Sequence, residues 1–262
     1  MDYIAFIAGL PEIAWDDRKL SLTVGEFRAQ LKDYIRGRDE QLVDLFFLPN
    51  DNAQVLRLLN KQEADPGLTT VYPVKLLEDE IQEPDKMIPS YLREFITDFK
   101  EEHLRYEVSP ENVLSWMYHD YMMKADNLLV RKYAEFSMNL KNLVAALNAR
   151  KYGMNVAREI IGSNEFAVAL RTSNAKDFGL GMDYPYVEKV IALMENDNLV
   201  ERERGLDLII WNFLDEAVTF EYFSLERVIS YMLRLMIVER WSKMNSESGR
   251  KVFMPVSYTH LT

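Results

Sequence analysis

The sequence predicts an all-α, mainly helical protein with a short N-terminal strand. Three observations carry that prediction. Between Asp126 and Gly153 the apolar residues Tyr133, Phe136, Leu140, Leu143, Val144 and Leu147 recur at three- and four-residue spacing, which places them on one helix face. Helix start and stop signals punctuate the rest of the chain: Thr23 with Glu26, Ser109 with Pro110, and Gly153 behind Arg150 and Lys151. The run Tyr3–Ala8 is aromatic, apolar and short, and reads as an extended segment.

The elements follow in order. After the turn at Gly9, Leu10 and Pro11, the capping box Thr23–Glu26 opens a helix through Arg36. Gln41–Leu48 is a short helix stopped by Pro49, and Asn50 or Asp51 caps the next, through about Leu59. Residues 62–89 carry four prolines and an acidic cluster at Glu78, Asp79 and Glu80, and read as a loose excursion with one short helix. Ser90 caps a helix through Glu102, and Ser109 with Pro110 starts another. Ser173–Pro185 is a loop, followed by helices at Tyr186–Met194, Leu199–Glu216 and Ser224–Met244. The last is apolar on most sides between Val228 and Val238, so it belongs at the centre of a core, with Gly249 and Arg250 as its stop.

Composition sets the class. The chain has 262 residues, 48% hydrophobic and 28% charged, which suits a single helical domain over residues 1–255. A net charge of −11 disfavours general binding to phosphate backbones or anionic lipid. The absence of cysteine excludes disulfides, thiolate metal sites and thiol nucleophiles. The apolar start carries Asp2 and reaches Pro11 too soon for a secretion signal, and the run Val228–Val238 is too short to span a bilayer. The tail Val256–Thr262, VSYTHLT, resembles translated sequencing-adapter DNA; on that reading His260 leaves any functional count.

The motifs for chemistry are sparse. Neither GxxxxGK[ST] nor GxGxxG is present, and Gly179-Leu180-Gly181 is followed by loop sequence, not a helix start. His103, His119, Asp120 and Asp126 resemble the H…HD…D set with which helical phosphohydrolases hold a divalent metal that activates water. Bulky Tyr121, Met122 and Met123 after Asp120 depart from that pattern. Asp16-Asp17, Glu78-Asp79-Glu80 and Glu201 with Glu203 read as solvated acidic faces. Two aromatic bands read as core: Trp116, Tyr118 and Tyr121 with their methionines, and Trp211, Phe213, Phe220, Tyr222 and Phe223. Beside the apolar face of the central helix runs a second stripe, Glu135, Asn139, Asn142, Ala146 and Ala149, read as solvated.

Three blocks carry a family resemblance: YIAFIAGLPEI (Tyr3–Ile13) followed by Asp16-Asp17; EFSMNLKNLVAALNARKYG (Glu135–Gly153) with LRTSNAKDFGL (Leu170–Leu180); and YMLRLMIVERWSKM (Tyr231–Met244). Together they resemble a bacterial family encoded among the genes of V/A-type ATP synthases. Asn139-Leu140-Lys141-Asn142 and Arg150 with Gly153 are similar to a helix of the synthase's C-type (d-type) central-stalk subunit. The resemblance implies a C-type-subunit-like helical bundle: a cytoplasmic, non-catalytic subunit or accessory, peripheral to the membrane, coupling the central stalk to the rotor ring. Its expected partners are other synthase subunits, with no cofactor, no nucleic acid and no direct membrane span. The alternatives are the metal-dependent phosphohydrolase above and a helical adaptor unrelated to the synthase.

Overall fold

The computed structural model describes residues 3–17, 19–103 and 108–257. Among them the regular structure is entirely helical. In chain order the helices are α1 (Ile4–Gly9), α2 (Val24–Leu31), α3 (Arg38–Asp44), α4 (Leu48–Leu59), α5 (Val74–Gln82), α6 (Ser90–Lys100) and α7 (Pro110–Met123). They continue with α8 (Leu128–Tyr152), α9 (Val156–Glu159), α10 (Glu165–Thr172), α11 (Tyr186–Met194), α12 (Leu199–Ala217) and α13 (Leu225–Ser257). No helix among the described residues is long and apolar enough to cross a membrane. Tyr258–Thr262, including His260, lie outside the described residues.

The mainly-α class stands, but the N-terminal strand does not: Ile4–Gly9 is a helix. Tyr3 and Phe6 are the buried residues of this run, and their three-residue spacing requires a helical turn to bring both to one side. A lone strand would also leave its backbone groups unpaired, whereas here the Ile7 amide donates to the Tyr3 carbonyl at 2.9 Å. The chain divides into two compact units: Gln41–Arg202, and Met1–Glu40 with Glu203–Thr262.

The larger unit is built around α8, which packs against α7, α9, α10 and α11, while α7 leans on α6 and α4 on α5. The caps of α8 are those the sequence announces. The Asn127 side chain accepts from the Val130 amide at 3.1 Å, and Gly153 closes the helix at φ 67°, a left-handed conformation that suits glycine. Ser109 caps α7 as expected, accepting from the Asn112 amide at 3.2 Å. Two other boundaries are corrected. Pro49 lies in the first turn of α4 instead of stopping a helix, and α6 starts after Pro89 with no side-chain cap from Ser90.

Asp51 is likewise no cap. Fully buried within α4, it accepts from the Val71 and Tyr72 amides at 2.9 Å each. Gln54 pairs both ways with the backbone of Asp65, at 2.8 and 2.9 Å. Glu80 takes the amides of Asp85 and Met87, at 3.0 and 2.8 Å. The proline-rich excursion is therefore tied down by three buried side chains, which supply hydrogen bonds that a loop lacks on its own.

In the smaller unit α13 is central, as its all-round apolar run requires: Val228, Ile229, Met232, Leu235 and Val238 are buried. It continues to Ser257, through Gly249 and Arg250. The predicted capping box of α2 is present, with Thr23 and Glu26 bonded reciprocally. Glu239 of α13 adds a second carboxylate at the same helix start, accepting from the Val24 amide at 2.6 Å. Phe27 stacks on Tyr231 with 5.5 Å between centroids.

Candidate functional site

The four residues of the metal-site reading do not gather. His119 is 1% exposed, and its Nδ1–H donates to the Ser115 carbonyl one turn back, at 2.6 Å. Burial first, and then the charge of Lys141, hold its pKa down at about 4, so the imidazole is neutral. Asp120 pairs with Lys124 at 2.5 Å, and exposed His103 lies 3.2 Å from Glu101. Asp126 stands at the surface just before the Asn127 cap. Among the described residues no three His, Asp or Glu side chains are placed to hold a metal ion together.

The Asn/Ala stripe of α8 reverses its expected reading. Asn139, Asn142, Ala146 and Ala149 are buried, and only Glu135 meets solvent. The Asn142 amide grips the backbone of Ile161 in both directions: Nδ2 donates to its carbonyl at 2.8 Å, and Oδ1 accepts its amide at 3.0 Å. Asn139 Oδ1 accepts from Asn164 Nδ2 at 3.0 Å, and Asn164 in turn caps α10 through the Ala167 amide. The alanines leave room for close approach. A paired polar network inside a packed unit fixes the position of the chain between α9 and α10.

At the C-terminal end of α8, Arg150 organises the loop of the LRTSNAKDFGL block. Its guanidinium donates to the carbonyls of Ala175 and Ser173, at 2.7 and 2.5 Å, and lies 3.5 Å above the centre of the Phe178 ring. Asp177 accepts the amides of Gly179 and Gly181, at 2.9 and 3.3 Å; the Gly179 bond is the main reason its carboxyl sits below the usual range. The two glycines of the GxG sequence thus turn their amides to a carboxylate of the chain itself. Residues flanking this loop line a cleft of about 440 Å³ between α8 and α11, with Leu147, Ile191 and Met194 as its apolar side and Lys151, Lys176 and Glu195 at its edge.

The smaller unit presents a different surface. Phe220, Tyr222 and Phe223, expected in the core, are 86, 64 and 52% exposed in the segment between α12 and α13. Tyr222 and Phe223 line a cleft of about 440 Å³ together with Ile7, Leu10, Ile13 and Arg227. The rest of that aromatic band does pack: Trp211 meets Trp15 edge-on at 5.6 Å, with Arg234 stacked over its ring. Tyr231 donates to the Pro11 carbonyl at 2.8 Å, which joins the N-terminal block to the C-terminal one.

The three blocks that carry the resemblance therefore form two joints, Arg150 with residues 173–178 and Tyr231 with Pro11. Both are structural contacts that shape a neighbouring surface. No curated protein and no solved structure matches the chain. One family model does, over residues 1–256, and the chain belongs to that family, described as "Protein of unknown function (DUF2764)".

Proposed function

We propose that the protein is a non-catalytic subunit or accessory of a V/A-type ATP synthase, held at the membrane surface through its partners, between the central stalk and the rotor ring. The resemblance of the three blocks supplies the direction of this reading. The observation that carries it is the run Phe220, Tyr222 and Phe223, three exposed aromatic side chains within four residues between α12 and α13. Three large aromatic side chains left in water are costly unless a partner covers them, and aromatic residues are enriched in the cores of protein interfaces. The buried polar side chains agree with a mechanical role. Asp51, Gln54, Glu80, Asn139, Asn142 and Asp207 each bond to backbone or to neighbouring side chains, which stiffens the helices that hold them.

The test is purification of the synthase in mild detergent from cells that carry both. The expected result is co-elution of this chain with the stalk and rotor-ring subunits at fixed stoichiometry. An intact, complete synthase without this chain overturns the proposal.

A further inference from the structure

We propose that the cleft between α8 and α11 receives an acidic, apolar-faced helix of a protein partner, an inference that rests on reading the chain as a subunit of a larger complex. The cleft is about 440 Å³, which admits one or two large apolar side chains. Its apolar side is Leu147, Ile191 and Met194, contributed by two adjoining helices, the arrangement into which a third helix sets its apolar face.

Charge decides what such a helix carries. The chain as a whole is acidic, at −11, yet Arg150, Lys151 and Lys176 all line this cleft against a single lining carboxylate, Glu195. The bonds of Arg150 go to neutral carbonyls, so its charge is not cancelled. Lys176 and Glu195 stand 3.0 Å apart with both side chains mostly in solvent, a pair weak enough for an incoming carboxylate to displace. Arg150 and Lys151 also offset the dipole at the end of α8. Lys176 lies outside any helix end and is set at the cleft edge by the loop that Arg150 pins. A basic rim around an apolar floor, on a chain of net charge −11, is complementary to Asp or Glu flanking an apolar helix face.

A photo-reactive amino acid placed at Asn148, which also lines the cleft, tests this in the full chain within the synthase, with a second placement at fully exposed Met182 as a control. The expected product joins position 148 to a helical segment of another subunit that carries Asp or Glu beside apolar residues. Lys151→Glu should lower the yield about fivefold, Lys151→Gln by less, and Glu195→Lys should raise it, while the melting temperature of each variant stays near that of the parent. Attachment of Asn148 to lipid or nucleic acid overturns the inference, as does a yield indifferent to all three charge changes. A synthase that holds the chain but gives no Asn148 product overturns the inference alone. A synthase without the chain overturns the subunit reading as well.

Discussion

His119 is a residue whose surroundings, more than its type, settle its role. In the sequence it stands beside Asp120 like half of a metal motif, but the fold closes around it and gives its Nδ1–H to a carbonyl of its own helix. Its pKa near 4 lies below the ordinary value of 6.5, so the unfolded chain binds the proton more readily. The stabilising effect of the neutral imidazole is complete above pH 6.5 and is lost progressively as pH falls towards 4. One proton across that window amounts to about 3 kcal/mol. His119→Gln should therefore flatten the loss of stability between pH 6.5 and 4, measured by urea unfolding at several pH values; an unchanged acid slope would refute the assignment. Arg150 makes a second prediction at this scale. Arg150→Lys keeps the charge but loses the planar fork and the stack on Phe178, and should cost about 1 kcal/mol. Hydrogen exchange should quicken at residues 173–181 and not in α7.

Helix α8 is legible on one face and opaque on the other. Its length, its Asn127 and Gly153 ends and its apolar stripe follow from spacing and capping rules that act within a few residues. The Asn/Ala face does not, because asparagine is usually a surface residue and the partner of Asn142 lies 19 positions further along the chain. Asp51 is opaque for the same reason, its partners being Val71 and Tyr72. The small side chains at Ala146 and Ala149, both buried, are the available signal of close packing. Helix α1 reads as a strand because six residues are too few to separate a period of 3.6 from one of 2. The buried amide bonds give the energetic consequence. Asn142→Ala leaves both the amide and the carbonyl of Ile161 without their partner, and should destabilise the chain by about 2–4 kcal/mol in chemical denaturation. Ala substitution of exposed Lys151, on the same helix, should change stability by less than about 1 kcal/mol.

Over the whole molecule the core is apolar, with a few polar side chains bonded inside it and a run of aromatic ones left outside. Asparagine and aspartate side chains lie inside, fully bonded, while Phe220, Tyr222 and Phe223 stand in solvent between α12 and α13. Interior polar networks fix which helices meet; exposed aromatics have no comparable value to the isolated chain and expose it to self-association. Replacing the three with serine separates stability from association. Because none of them is buried, unfolding free energy should stay within about 1 kcal/mol of the parent. On the proposed subunit reading, retention on the synthase should fall about tenfold or more, since central aromatic residues typically carry a large share of binding energy. The isolated parent chain should also self-associate more than the variant in sedimentation runs at equal concentration. A triple variant that melts like the parent and stays with the synthase through the same washes would show that this surface faces something other than the complex.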